Sequence, residues 1–171
     1  MIKPGFIITL LLISSGLVYY FFPETELPKN AKIDKLIVVK HKRIMEAYSG
    51  EKLLKSYSIS LGRNPFGDKE FEGDMRTPEG EYRIHDRNPN SGFYKNLGVS
   101  YPNPADVKEA KRKGLDPGGE IKIHGLKNGL GFIGKFHRWV NWTAGCIAVT
   151  DNEIDELYHS VEPGSKIIIK P

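Results

Sequence analysis

From Asp34 onward the chain consists of short runs rich in β-branched and aromatic residues, separated by turns that contain glycine, proline, asparagine and serine. Runs of this length and composition are typical of strands in a half-buried sheet. Strands are predicted over residues 35–40, 43–48, 53–61, 81–85, 93–101, 120–124 and 165–170. Short helices are predicted at 104–113 and 151–159, with acidic residues in the first turn of each. The pattern predicts a mainly β sandwich or barrel with short helices.

The N-terminus has a different character. Residues 6–22 carry no charge and lie between Lys3 and Pro23. Such a run is at the short end for a membrane-spanning helix and is longer than the apolar part of most signal peptides. No A-x-A cleavage site follows it, so an uncleaved signal anchor over residues 1–23 is favoured over a cleaved signal peptide. Residues 24–33 are polar and contain Pro28, as expected of a linker.

Length and composition limit the remaining choices. A chain of 171 residues favours one domain after the linker, at residues 34–171. Its hydrophobic fraction of 39% and charged fraction of 27% are those of a globular protein and exclude a disordered or fibrous one. The net charge of +4 is too small to choose an anionic partner, and no block of like charges indicates nucleic-acid binding.

Cys146 is the only cysteine, so no internal disulfide can form. It can be a buried apolar residue, a metal ligand, half of an intermolecular disulfide or a nucleophile. Gly145 precedes it, and glycine permits a backbone conformation or a close approach that a side chain would block. A thiol at such a turn is expected beside free backbone N–H groups, which lower its pKa and form an oxyanion hole.

A cysteine nucleophile needs a base, and His124 is the strongest of five histidines because it ends the strand at 120–124 and precedes Gly125. A structural, hydrogen-bonded histidine is the alternative. His137 lies in a loop-like stretch and is interpreted as a cleft or surface residue. Trp139 and Trp142 are candidates for lining a groove. No HExxH, CxxC or HxH spacing is present, so neither a metal nor a cofactor is expected.

Together these segments resemble a known family. Ile123-His124-Gly125 followed by Thr143-Ala144-Gly145-Cys146-Ile147 is similar to the HG…[ST]-x-G-C signature of the YkuD-type L,D-transpeptidases. The segment 77–82 resembles the family's TPxGxY motif, and the opening at 35–48 resembles its first hairpin. The similarity covers residues 34–171, and the cysteine motif is specific when it is paired with the upstream HG.

The resemblance implies a function and roles for individual residues. Cys146 is implied as the nucleophile and His124 as its base, with Gly145, Thr143 and Gly125 around the oxyanion region. The implied substrates are peptidoglycan stem peptides, joined to each other or to a wall-attached lipoprotein through a thioester. A wall substrate places the domain outside the cytoplasmic membrane, anchored through residues 6–22, without nucleic-acid partners and as a monomer. Trp142, Trp139, Arg138, His137 and Tyr101 are expected to line the substrate cleft.

The motif departs from the family pattern at two positions. Many members have S-H-G-C-[IL]-R, whereas this chain has Ala144 and Ala148 in place of the histidine and the arginine. That arginine is suited to bind a substrate carboxylate with two hydrogen bonds, and Arg138 or Arg112 is the expected substitute. Two alternatives to transpeptidation stay open: a hydrolase of the same fold that releases wall-linked peptide or lipoprotein, and a wall-binding domain without catalysis.

Overall fold

A computed structural model describes residues 3–171 of the chain. Three α-helices are present: α1 (Pro4–Phe21), α2 (Pro104–Arg112) and α3 (Asp151–Ser160). The strands are β1 (Ile33–Val39), β2 (Ile44–Ser49), β3 (Lys52–Ser58), β4 (Gly80–Ser91), β5 (Tyr94–Val99), β6 (Lys122–His124), β7 (Ile147–Ala148) and β8 (Val161–Lys170). A 3₁₀ turn occurs at Lys40–Lys42. A longer 3₁₀ stretch, Gly131–Trp139, is interrupted by a kink at Gly134 and is called the kinked segment below.

The strands form one sheet in the order β3-β2-β1-β8-β4-β5-β6-β7. Strand β4 joins its two halves, because Gly80–Arg83 pair with β8 while the following residues pair with β5. The sheet curls until its two edges meet. The chain beyond β3 forms one bridge between Ser60 and Ala148 and a second between Gly62 and Thr143. This curled, nearly closed sheet confirms the prediction of a mainly β sandwich or barrel with short helices.

The core lies inside the curl and under α3. Alternate residues of the strands supply it, as expected when successive side chains point to opposite faces of a sheet. Ile123 of β6 and Ile147 of β7 are paired and fully buried, and Ile154 and Leu157 of α3 are buried with them. Because Ile123 and Ile147 point into the core, the residues next to them in sequence face the opposite side, where the site lies.

Two local features depart from what the residue types alone would suggest. The residues 88–91, whose asparagines and proline favour a turn, are part of β4, which continues to Ser91 before the chain reverses into β5. The side chain of Thr150, not that of Asp151, caps α3: Thr150 Oγ1 accepts from the N–H of Glu153, whose carboxylate accepts from the N–H of Thr150. Asp151 is then free to accept a hydrogen bond at 2.8 Å from the N–H of Leu126, just after the predicted base His124.

Helix α1 covers the N-terminal apolar run, and its C-terminal end lies on the kinked segment. The hydroxyl of Tyr20 donates to the carbonyl of Phe132 at 2.8 Å, and the ring of Tyr19 packs against Trp139. Among residues 3–171, no helix combines the length and the apolar character needed to cross a membrane. Helix α1 has 18 residues, and the signal anchor expected over residues 1–23, with its apolar run at 6–22, stays a prediction.

Candidate active site

The cysteine turn is held by a threonine and requires a glycine. Thr143 Oγ1 donates to the carbonyl of Cys146 at 2.7 Å and accepts from the N–H of Gly145 at 3.1 Å. Gly145 has a φ of +132°, and a Cβ there would lie 2.6 Å from the carbonyl oxygen of Arg76. Both conditions exclude a side chain, so the structure confirms the interpretation of Gly145 as a position of unusual conformation and close approach.

The segment between β3 and β4 packs against this turn. A Cβ on Gly62 would lie 2.1 Å from the carbonyl oxygen of Met75 and 3.2 Å from the Cα of Gly145. The buried hydroxyl of Thr77 accepts from the N–H of Gly62 at 3.0 Å. Gly62 and Thr77 are distant from Cys146 in the sequence. The loop that contains them therefore supports the cysteine turn from beneath.

His124 is the last residue of β6, and Cys146 immediately precedes the neighbouring strand β7. Strands β6 and β7 are parallel, with Ile123 opposite Ile147 and His124 opposite Ala148. Since side chains alternate between the faces of a sheet, His124 and Cys146 both point away from the buried isoleucines. Both side chains line one cavity of about 690 Å³. The structure thus brings together the two residues that the sequence indicated as nucleophile and base.

The orientation of the His124 ring follows from its partner. Nδ1 lies 2.6 Å from the carbonyl oxygen of Gly125; a carbonyl can only accept, so Nδ1 carries the proton and Nε2 is the free acceptor. Burial, together with the positive charge of Lys122, lowers the pKa of His124 below its ordinary value of 6.5 despite the hydrogen bond to Gly125, which raises it. At neutral pH the imidazole is therefore uncharged and able to take up a proton.

The loop after His124 is fixed by α3. A Cβ on Gly125 would lie 2.7 Å from Oδ1 of Asp151, the same oxygen that accepts from the N–H of Leu126. Glycine is needed at position 125 because the carboxylate approaches the backbone so closely. Asp151 thereby holds the carbonyl of Gly125 in place, and that carbonyl in turn fixes the tautomer of His124.

The thiol of Cys146 is neutral at rest. Burial raises its pKa above the ordinary value of 9.0, although the backbone N–H and the ammonium of Lys122 act in the opposite direction. The thiol donates to the carbonyl of Glu120 at 3.5 Å. A backbone N–H therefore acts to lower the thiol pKa as the sequence predicted, but removal from water outweighs it and the pKa is raised. A base must remove the thiol proton during the reaction.

Aromatic rings and charged side chains form the walls of the cavity. Phe93 packs on His124 with ring centroids 4.7 Å apart and stacks with Trp142 at 6.0 Å. Glu120 and Lys122 form an ion pair at 2.6 Å, and both line the cavity. Across residues 3–171, no three histidine, cysteine or carboxylate side chains are grouped so that they could hold a metal ion.

Of the five residues expected to line the cleft, only Trp142 does so. Tyr101 is buried and donates from its hydroxyl to the carbonyl of Pro117 at 2.9 Å, so it is a packing residue. Trp139 is 64% exposed and packs on α1. Arg138 forms ion pairs at 2.8 Å with Glu24 and with the buried Glu153. None of these three side chains lines the thiol cavity, which corrects their predicted role.

His137 occupies a second layer. It is buried, and its Nδ1 accepts from the indole N–H of Trp142 at 3.4 Å. It lines a separate cavity of about 240 Å³ that shares Trp142 with the thiol cavity. Burial, with the nearby charge of Arg138, lowers the pKa of His137 to about 3. It contacts the wall of the site and does not line the thiol cavity, which corrects its expected place in the cleft.

Several lining residues were missed by the sequence reasoning. Lys122 could have been found, because it is two residues before His124 on a strand and therefore faces the same side. Phe93, placed in a predicted strand, lies instead in the connection between β4 and β5, immediately before β5. Arg63 has no local signal, because its place in the cavity depends on the pairing of Gly62 with the distant Thr143. Arg112 is bonded to Glu109 on the exposed face of α2 and is not at the site.

A cysteine thiol and a neutral imidazole that line the same cavity are the groups that an acyl-transferring cysteine enzyme requires. Residues 34–169 match the family described as the L,D-transpeptidase catalytic domain, YkuD. The chain belongs to this family.

Named relatives agree with this assignment. The chain is 30% identical over 131 residues to an Escherichia coli K12 protein described as "Putative L,D-transpeptidase YafK", covering 72% of this chain and 45% of that protein. The structure is similar to the helical cell shape determining protein Pgp2 from Campylobacter jejuni, with a TM-score of 0.62, 25% identity and coverage of 82% of this chain and 48% of that one. The chain therefore spans about half the length of these relatives.

An L,D-transpeptidase from Mycobacterium smegmatis shares the fold alone. Its TM-score is 0.54 at 14% identity, with coverage of 82% of this chain and 59% of that one. The curled sheet is therefore common to proteins whose sequences have diverged widely, and the arrangement of strands that carries His124 and Cys146 belongs to that shared fold.

Proposed function

We propose that the protein is a cysteine acyltransferase that acts on peptidoglycan stem peptides through a thioester. The observation that supports this most strongly is the pair formed by Cys146 and His124, whose side chains line one cavity while the Nδ1 contact to Gly125 leaves Nε2 as the free acceptor. A domain that only binds the wall needs neither a reactive thiol nor an oriented base. Family membership supports the same choice of substrate.

The reaction begins with proton transfer from Cys146 to Nε2 of His124. The sulphur then attacks the carbonyl carbon of the third residue of the stem, and the bond to the terminal D-alanine breaks. The imidazolium returns its proton to the departing amine. An amine of another stem peptide, or of a wall-attached lipoprotein, releases the acyl group from sulphur; when water takes this place, the outcome is hydrolysis.

The oxyanion formed during attack needs hydrogen-bond donors. The N–H of Gly145 donates to Thr143 Oγ1, so the N–H of Cys146 is the donor that we assign to the oxyanion. Thr143 supports this assignment by bonding the carbonyl of Cys146 as well. Thr143 then fixes the direction of the Cys146 amide and does not itself contact the substrate.

The substrate implies a place of action. Peptidoglycan lies outside the cytoplasmic membrane, so we propose that the domain works in the cell envelope, on its extracytoplasmic side. One relative is named as a determinant of helical cell shape. Because this chain is similar to that relative, we propose that it also affects the architecture of the wall.

The full chain, incubated with purified tetrapeptide muropeptides, tests the proposal. Products are separated with and without an added amine acceptor, and Cys146→Ala is run in parallel. Dimers or amine adducts that require Cys146 support transfer, whereas loss of the terminal residue without them supports hydrolysis by the same thioester. Binding of muropeptides without turnover, or equal turnover by Cys146→Ala, contradicts the proposal.

A further inference from the structure

Four charged side chains line the thiol cavity: two form an ion pair with each other, and two have no carboxylate partner among residues 3–171. Lys122 is paired with Glu120 at 2.6 Å, so these two charges largely cancel. Arg63 and Lys127 complete the set, and neither is within ion-pair distance of a carboxylate in the part of the chain that the structure describes, residues 3–171. The cavity therefore presents uncompensated positive charge, although it contains one carboxylate.

Arg63 is bound to the cysteine turn by two contacts. Its backbone N–H donates to the carbonyl of Thr143 at 3.0 Å. Its side-chain Nε donates to the carbonyl of Trp142 at 3.2 Å. Because Nε is engaged by the backbone, the plane of the guanidinium is set, and the two terminal nitrogens are the donors left for a ligand. A planar pair of N–H donors matches the two oxygens of a carboxylate.

The two arginines that were expected to bind a substrate carboxylate form ion pairs within the protein instead. Arg138 is bound by Glu24 and Glu153, and Arg112 by Glu109. Ala148, at the motif position that holds arginine in many family members, is fully buried and bridged to Ser60. This position offers the cavity no polar group. Among residues 3–171, Arg63 is the arginine that lines the thiol cavity.

We propose that Arg63 binds a carboxylate of the acyl-donor peptide by a two-pronged hydrogen bond and thereby holds the scissile carbonyl against Cys146. The inference rests on the proposed function and adds to it the residue that selects the donor. The carboxyl-binding arginine is then provided by the loop after β3 in place of the strand after the cysteine. Both locations are tied to the same turn, since Gly62 and Thr143 form a bridge.

Two carboxylates of a stem tetrapeptide are within reach of such a contact. One is the α-carboxylate of the terminal residue, which departs with the leaving group. The other is the side-chain carboxylate of the third residue, where that residue is a diamino dicarboxylic acid. The ligand chemistry is the same in both, so amidation of one carboxylate at a time distinguishes them.

The experiment measures kcat and KM of the full-length protein on three donors: the unmodified tetrapeptide, its terminal carboxamide and its side-chain carboxamide. Wild type, Arg63→Met, Arg63→Lys and the control Lys127→Met are compared. We expect Arg63→Met to lower kcat/KM for the unmodified donor roughly 10- to 100-fold, since a charge-assisted pair is lost. Arg63→Lys is expected to recover part of the loss because it restores the charge without the fork.

The decisive result is that Arg63→Met no longer lowers kcat/KM when one of the two amidated donors is the substrate. On that donor, Arg63→Met and wild type should differ by less than about threefold, because the partner of the arginine is already neutral. An equal effect of Arg63→Met on all three donors, or a Lys127→Met loss as large as that of Arg63→Met, overturns the inference. Turnover of the unmodified donor by wild type is measured in the same series; its absence contradicts the proposed function and leaves a separate, recognisable result.

Equal rates of thiol alkylation in wild type and Arg63→Met show that the variant is folded around Cys146. Arg63 is exposed, so its replacement is not expected to disturb the core. If alkylation of the variant is slowed, direct binding of the unmodified peptide to Arg63→Lys is measured instead, and affinity equal to that of Arg63→Gln then contradicts the inference.

Discussion

Two buried histidines lie close together in this molecule, and their surroundings make them different. His124 ends β6, has its Nδ1 proton fixed by Gly125 and lines the thiol cavity. His137 lies in the kinked segment, accepts from Trp142, and its Nε2 is buried without a hydrogen-bond partner among the described residues. Burial lowers the pKa of both rings. Burial alone therefore does not mark a catalytic base; a free, oriented nitrogen in the cavity that holds the nucleophile does.

The reactive pair also differs from the charged network around Glu153. The imidazole is buried and the thiol is half-buried, and both are uncharged at rest. The buried carboxylate of Glu153 is bonded to the guanidinium of Arg138 and to the N–H and hydroxyl of Thr150. In this network the carboxylate of Glu153 and the guanidinium of Arg138 neutralise each other, and they join the kinked segment to α3. Charge compensation thus gives a fixed structural wall on one side, while the reactive pair on the other side carries no charge at rest.

The largest expected effect concerns His124. His124→Gln keeps an acceptor and a similar volume but cannot take up the thiol proton, so kcat/KM should fall about 10³- to 10⁴-fold. Steady-state kinetics on tetrapeptide muropeptides measure this, and His137→Gln is the matched control, expected to change kcat/KM less than about 10-fold. Comparable losses in the two variants would remove the distinction between the histidines.

The pH dependence of wild-type kcat/KM sharpens the same point. His124 has a pKa below 6.5 and Cys146 a pKa above 9.0, so the resting pair is thiol and neutral imidazole. The acidic limb of the profile should therefore lie below pH 6.5, where His124 becomes protonated. An acidic limb above pH 7 would instead indicate a histidine that is charged at rest.

Next in size is the loss of the compensated network. Arg138→Met leaves the carboxylate of Glu153 buried without its cation, and breaking such a buried pair costs about 3–5 kcal/mol of unfolding free energy. Urea unfolding measures the change. Glu24→Gln removes the half-exposed partner of the same arginine and should cost less than about 1 kcal/mol. An equal loss of unfolding free energy in the two variants would show that the buried pair of Arg138 and Glu153 does not stabilise the fold more than the half-exposed contact with Glu24.

The buried His137 makes stability depend on pH. Its pKa is about 3 in the folded protein and about 6.5 in the unfolded chain. The unfolded state therefore binds more protons between these values, and this contribution to stability is present above pH 6.5 and decreases as pH falls. The slope is at most about 1.4 kcal/mol per pH unit. His137→Gln should flatten the dependence of unfolding free energy on pH between 6.5 and 4, and an unchanged slope would contradict this assignment.

The smallest expected effect concerns the charges beside the thiol. The ammonium of Lys122 lowers the thiol pKa, while the carboxylate of Glu120 raises it. Lys122→Met should slow alkylation of Cys146 by iodoacetamide at pH 8, and Glu120→Gln should accelerate it, each about two- to fivefold, since Glu120 is 86% exposed. Shifts in the same direction would show that the two charges do not act on the sulphur as the structure indicates.

Much of the fold followed from local pattern. Alternating apolar residues indicated most of the strands, and the caps and charges of α2 and α3 indicated two helices. Strand β7 has only two residues, too few for a pattern to establish a strand. Long-range pairing determines where β4 changes partners from β8 to β5, and no local rule contains that information.

The site could be predicted where its residues belong to a motif. Cys146, Gly145, Thr143 and His124 all lie at the site. The cleft was harder, because aromatic and cationic residues are common and have many structural uses: Trp139 and Arg138 pack on the N-terminal region instead. Arg63 became visible only when the curl of the sheet brought the loop after β3 to the cysteine turn.

The most direct test of the account is the intact mass of the protein during turnover of a stem tetrapeptide. Rapid acid quenching should trap an adduct on Cys146 equal to the donor acyl group without its terminal residue, removable by hydroxylamine as expected of a thioester. Cys146→Ala should show no adduct and no turnover, and His124→Gln should accumulate the adduct far more slowly. Turnover by Cys146→Ala, or an adduct located on another residue, would contradict the central claim.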